Sequence, residues 1–101
     1  MKTLPPTQVR DHLEELPGWR KRGVSIRRTF ELTDFVKAVK FVNQVAKLAE
    51  KANHHPDIDI RWNKVTLTLS THSEGGLTGK DFALAAKIDR AFTRSVAKEN
   101  R

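Results

Sequence analysis

The chain contains no cysteine, which excludes disulfide bridges, thiolate nucleophiles and cysteine-ligated metal sites. It has no apolar run near the roughly 20 residues that cross a bilayer. The opening Met1-Lys2-Thr3-Leu4-Pro5-Pro6 holds no apolar core of a secretory leader. No linker, repeat or low-complexity tract interrupts the 101 residues. Signature motifs are missing too: there is no HExxH zinc helix, no Walker loop at Gly75-Gly76 and no nucleophile elbow around Ser70 or Ser73. Together these absences lead us to expect one cytoplasmic domain spanning residues 1–101.

What is present is ordinary for a folded domain: 38% hydrophobic and 31% charged residues. A domain this small buries only about two thirds of its unfolded surface, so pairing with a second copy would help it. The formal charge is +7, from 19 basic and 12 acidic side chains. The densest basic group is Arg20-Lys21-Arg22, with Arg27-Arg28 nearby, and acidic residues interleave elsewhere. That spread fits a solvated basic surface better than a nucleic-acid footprint.

The periodicities give the order α-β-β-α-β-β-α. Thr7 to Leu16 is a short helix capped by Thr7, with Val9, Leu13 and Leu16 on one face, and Pro17-Gly18 ends it. Two strands follow between Trp19 and Leu32, bent at Gly23. The second sets Val24, Ile26, Arg28 and Phe30 on one side, an alternation that Arg28 breaks. Thr33 to Lys51 is a helix with Thr33 as N-cap and Phe35, Val39, Val42, Ala46 and Ala49 at helical spacing. Val36, Val45 and Leu48 widen that stripe, which suits either a broad core face or a face shared with a second subunit. Asp57 to His72 is a hairpin, and Thr78 to Asn100 is a long helix opened by Thr78 and Asp81 in a capping pattern. Its apolar face holds Phe82, Ala85, Ala86, Ile88, Phe92 and Val96. The expected architecture is an α+β sandwich: one four-stranded antiparallel sheet with helices on one face.

Three of the four histidines fall in Asn53-His54-His55-Pro56 and Ser70-Thr71-His72, at the open end of that hairpin. With Asn63-Lys64 as a two-residue turn, Ile60 faces Leu67, Ile58 faces Leu69 and His55 faces His72. Opposed residues have Cβ atoms about 5 Å apart, so the imidazoles would flank one patch on the sheet's open face. Pro56 fits a strand start and biases His55 towards extended backbone. Histidine titrates near neutrality, which makes such a cluster apt for general acid–base chemistry. A zinc site is the rival, but adjacent His54 and His55 on an extended segment point apart. His12 stands alone and is assigned no role.

The run Glu50-Lys51-Ala52-Asn53-His54-His55-Pro56, then Trp62-Asn63-Lys64-Val65, Leu69-Ser70-Thr71-His72, Gly76-Leu77-Thr78 and Asp81, resembles the pterin-4a-carbinolamine dehydratase family over nearly the whole chain. The resemblance implies dehydration of 4a-hydroxytetrahydropterins to quinonoid dihydropterins, which recycles the cofactor of aromatic amino acid hydroxylases. It implies no metal and no cofactor, the pterin being the substrate. By position, His54, His55 and His72 surround the pterin. His54 and His72 are the expected acid and base, and His55 the orienting residue. Asn53, Pro56, Ser70 and Thr71 are expected to bind substrate, the latter two through backbone groups. Glu50 and Asp81 would orient an imidazole, or else serve only as helix-end carboxylates. Two positions depart from the family pattern: Ile58, where an aromatic residue is frequent, and Asn53, where Asp is frequent. The resemblance further implies a homodimer or homotetramer. It also leaves open a different class of function, a protein-binding module like the animal members that stabilise a transcription-factor dimer.

Overall fold

Every second residue of the strand Lys64–Leu69 is buried, with Val65, Leu67 and Leu69 inward, and this alternation sets one dry face for the whole sheet. The computed structural model describes residues 2–99. Its elements are α1 (Pro6–Glu14), β1 (Arg20–Arg22), β2 (Ser25–Glu31), α2 (Phe35–Ala52), β3 (Asp57–Arg61), β4 (Lys64–Leu69), a 3-10 turn (His72–Glu74) and α3 (Gly79–Glu99). The strands form one antiparallel sheet in the order β1-β2-β4-β3. This is the expected α-β-β-α-β-β-α sandwich. Ile26 and Phe30 of β2 join the β4 residues against Ala38, Phe41 and Val45 of α2 and Leu84, Ala85 and Ile88 of α3. Val9 and Leu16 extend the same core under α1. No helix among the described residues is long and apolar enough to cross a membrane.

Several local expectations change. α1 starts one residue earlier than read, because Pro6 presets the first helical φ, and Thr7 makes no cap. α2 is capped by Asp34, whose side chain accepts from Lys37 N–H at 2.8 Å, not by Thr33. α2 also buries a different stripe. Ala38, Phe41, Val45 and Ala49 face the core, while Phe35, Val36 and Val39 are exposed. The bulky Phe41 decides this rotation by packing on Phe30 and Phe92, with ring centroids 4.9 and 5.7 Å away. Val24 sits in the β1–β2 turn and is exposed. In α3 the stripe gains Leu84 and Ala91, whereas Val96 is only half-buried. The expected helix end at Asn100 lies outside the described residues, as does Met1.

Arg28 points to the dry side and is accommodated there. Its guanidinium lies 4.4 Å from the Phe30 ring centroid and pairs with Asp89 at 2.9 Å. The same Asp89 oxygen accepts from the indole N–H of buried Trp19 at 2.9 Å.

The hairpin register is two residues away from the one expected. Ile58 faces Leu67 and Ile60 faces Val65, so the turn is Trp62-Asn63. Trp62 takes the left-handed φ of 53°, and Asn63 turns inward: its side-chain amide N–H donates to Leu32 O at 2.9 Å, and its backbone carbonyl accepts from Leu32 N–H at 2.8 Å. A shift of two keeps every side chain on its face, which is why the apolar pairing survives. It does slide the histidines. Continued past Pro56, this register sets His55 opposite Ser70, and His72 leaves the ladder to open the 3-10 turn.

Candidate active site

The end of α2 aims the two adjacent histidines. Asn53 adopts a left-handed conformation (φ 50°, ψ 45°), which Asn tolerates better than other side-chain-bearing residues. Asn53 N–H then bonds Glu50 O at 3.2 Å and His54 N–H bonds Ala49 O at 3.0 Å. This paired closure is a Schellman motif, and it turns the chain sharply off the helix axis. Residues 54–56 leave it without helix or strand pairing, and β3 begins at Asp57, directly after Pro56. Asn53 is therefore a helix terminator that places His54, and its exposed side chain was not identifiable as such from residue type alone.

Successive side chains here diverge. His54 goes inward: its side chain is 11% exposed, and Nε2 lies 2.6 Å from Oδ1 of the fully buried Asp81. His55 goes outward, with Nε2 2.5 Å from Glu50 Oε2, both side chains more than half exposed. Each of the two carboxylates picked out from the sequence thus holds one imidazole, Asp81 in the dry interior and Glu50 at the surface. The buried pair is the more rigid of the two, since no water competes for it.

Asp81 also reaches the second motif. Its Oδ2 accepts from Thr71 Oγ1 at 2.8 Å and from Thr78 N–H at 3.0 Å. Thr71 and Thr78 hydroxyls are 2.8 Å apart, and Thr78 Oγ1 accepts from Lys80 N–H at 3.3 Å. His54 and the Thr71-His72 segment are therefore tied to one buried carboxylate, although His54 and Thr71 lie 17 positions apart in the chain. His72, next in the chain, is exposed and makes no side-chain hydrogen bond or ion pair among the described residues. No hydrogen bond or ring contact joins it to His54 or His55 among those residues, so the expected opposition of His55 and His72 is replaced by a linkage of His54 to Thr71.

Thr71 differs from expectation in detail. Its N–H donates to Gly76 O at 2.9 Å and its hydroxyl points inward, so neither is free at the surface. Ser70, beside it, is half-buried. The Thr78 hydroxyl was not picked out for the site. Its signals are the capping pattern Thr78-x-x-Asp81, which describes a helix start as readily as a site, and its place in the Gly76-Leu77-Thr78 run of the resemblance. His12 stacks on Phe82 with centroids 4.7 Å apart, a packing role. Among the described residues, no group of three or more His, Asp and Glu side chains is arranged to hold a metal ion.

Comparisons with known proteins show the family of the chain. Residues 2–91 match the family model for Pterin 4 alpha carbinolamine dehydratase. A protein of Roseiflexus castenholzii named as a pterin-4-alpha-carbinolamine dehydratase is 59% identical over 86 residues, covering 85% of this chain and 92% of its own. One of the same name from Acidobacterium capsulatum is 52% identical over 89 residues, covering 88% and 97%. Among solved structures, a transcriptional coactivator/pterin dehydratase from Brucella melitensis superposes with a TM-score of 0.86 at 37% identity, over 89% of this chain and 98% of that one. A pterin dehydratase-like RuBisCO assembly factor of the alpha-carboxysome shares the fold alone, with a TM-score of 0.64 at 24% identity over 74% and 89% of the two chains.

Proposed function

The chain belongs to the pterin-4a-carbinolamine dehydratase family, whose members' names describe a hydro-lyase, and we propose that it removes water from a 4a-hydroxytetrahydropterin to give the quinonoid dihydropterin. The C4a–O bond breaks with a proton delivered to the departing hydroxyl. The N5–H proton is taken away, and the pair it leaves forms the C4a=N5 double bond. Both transfers lie in the range of imidazole at neutral pH and call for no metal or bound cofactor. We assign His54 and His72 to the two transfers and His55, steadied by Glu50, to holding the pterin. We assign Pro56 and Ser70 to the pterin's edge, whereas the Thr71 carbonyl already accepts from Glu74 N–H at 3.0 Å and Gly76 N–H at 3.4 Å, which leaves Thr71 a supporting role. A hydroxylase that makes the carbinolamine is the pathway partner this reading implies.

One observation carries the proposal. His54 is held at 2.6 Å on a fully buried carboxylate that also binds the residue preceding His72. Such a cost in burial is repaid where a group must be oriented. The test is turnover of freshly generated 4a-hydroxytetrahydropterin by wild-type protein, His54→Ala and His72→Ala. Each variant should lose about a hundredfold or more in kcat. Wild-type turnover left intact in His54→Ala would refute the assignment.

A second copy of the chain is the partner we expect. The exposed Phe35, Val36 and Val39 of α2, and Ile58, Ile60 and Trp62 at the β3 edge, are large apolar side chains without cover in a single protomer. The Brucella melitensis protein carries both a coactivator and a dehydratase name, and the same apolar surface would serve a protein-docking role here. Sedimentation at micromolar concentration decides between monomer and oligomer.

A further inference from the structure

We propose that the hydroxyls of Thr71 and Thr78 are positioning groups that fix the tautomer of His54, leaving its Nδ1 as the atom that exchanges protons with substrate. The inference rests on the dehydratase reading for its chemistry but on hydrogen-bond accounting for its geometry.

The accounting has one solution. Thr78 N–H can only donate, and it donates to Asp81 Oδ2. Thr71 Oγ1 gives its single proton to the same oxygen. With that proton committed, Thr71 Oγ1 can only accept from Thr78, so Thr78 is the donor of the 2.8 Å hydroxyl pair. Thr78 Oγ1 in turn accepts from Lys80 N–H, and each oxygen's donor and acceptor capacity is used in one direction. The chain of donors runs Lys80 N–H to Thr78 to Thr71 to Asp81. It delivers one hydrogen to Oδ2, Thr78 N–H supplies a second, and Oδ1 is left to His54 Nε2 at 2.6 Å.

A carboxylate whose other oxygen already accepts two hydrogens is an acceptor at Oδ1 as well. The proton between Oδ1 and Nε2 therefore sits on nitrogen, and Asp81 is the acceptor of all three bonds. The neutral ring is then the Nε2–H tautomer, with a lone pair on Nδ1. In the neutral ring Nδ1 is then the atom with a free lone pair, placed to take a proton from substrate. His54 returns the proton through the same Nδ1. The buried hydroxyls of Thr71 and Thr78 act through Asp81. Their hydroxyls hold the carboxylate's plane, so that Oδ1 and not Oδ2 meets the ring.

The wild-type protein tests this directly. Two-dimensional long-range nitrogen–proton NMR of the histidine rings should show His54 protonated at Nε2 and bare at Nδ1, and an Nδ1–H ring would overturn the proposal. Asp81→Asn supplies a second test. Thr78 N–H and Thr71 O–H still require an oxygen at the Oδ2 position, so the amide NH2 must face His54. Nε2 must then accept, and the proton must move to Nδ1. The expected result is an inverted tautomer with kcat down about a hundredfold or more. An unchanged tautomer in Asp81→Asn refutes the lock. Thr71→Val should lower kcat about fivefold with KM held, the size of one hydrogen bond, and Thr71→Ser should restore it. Thr78→Val and Thr78→Ser should behave alike. Unchanged kcat in both valine variants counts against the positioning role. Absence of dehydration by wild-type protein with the Nε2–H tautomer in place would overturn the functional reading and support the lock.

Discussion

Replacing Asp89 by alanine removes the acceptor of two donors at once, and the loss can be worked from the structure. Trp19 is 3% exposed, and its indole N–H has Asp89 Oδ1 as its acceptor at 2.9 Å. A buried hydrogen bond to a charged group is worth about 1.5–3 kcal/mol, most of it the cost of stranding the donor. The Arg28–Asp89 pair, at 2.9 Å with side chains 25% and 21% exposed, adds at most about 1 kcal/mol after solvent screening. The sum is about 3 kcal/mol, a large share of the 5–15 kcal/mol typical of such a domain. It corresponds to a fall in Tm of about 15 °C. Urea unfolding followed by far-UV circular dichroism measures it. Arg28→Met should cost only about 1 kcal/mol, because a methionine still packs on Phe30 and Asp89 still holds Trp19. In the double variant the two losses should not add, since neither charge is left unpaired. An Asp89→Ala loss below about 1 kcal/mol, with an unchanged urea m-value, would refute this account of how Arg28 is tolerated on the dry face.

Other outcomes follow from the same structure. Trp62 pays for a left-handed φ of 53° while 71% exposed, so Trp62→Gly should stabilise the isolated protomer by about 1 kcal/mol yet weaken self-association. Unchanged self-association in sedimentation would show that the β3 end is not the interface. Asn53→Val, β-branched at φ 50°, should cost about 2 kcal/mol and lower kcat by misplacing His54, and Asn53→Gly should recover both. If Asn53→Gly stays slow although fully stable, the Asn53 side chain itself binds substrate. Exhaustive treatment with EDTA should leave dehydration unchanged, and a loss restored by zinc would bring back the metal reading.

The sheet and its helices were legible because periodicity reports burial. The alternation of Val65, Leu67 and Leu69, and the Thr78-x-x-Asp81 start of α3, appear in the structure as read. The parity of the hairpin was legible too, but not its register. Asn63 looked like a turn residue that would take positive φ, whereas its amide is held by the Leu32 carbonyl, 31 residues away, and Trp62 takes that conformation instead. Such a long-range capture leaves no local mark. The stripe of α2 was misjudged for a similar reason. Its apolar residues wrap much of the helix, and the choice of face was made by Phe41 meeting Phe30 and Phe92. At the site, His54, Asp81, Thr71, His55 and Glu50 were all named from sequence. The pairing of each imidazole with its own carboxylate follows from the turn at a left-handed Asn53, a conformation that residue type permits without dictating.

The most direct measurement is the rate at which the purified protein converts 4a-hydroxytetrahydropterin to quinonoid dihydropterin, followed by ultraviolet absorbance against the spontaneous reaction. The account predicts clear acceleration by wild-type protein that is lost in His54→Ala and His72→Ala while both variants stay folded by circular dichroism. A wild-type rate equal to the spontaneous one, or a His54→Ala rate equal to wild type, would contradict it.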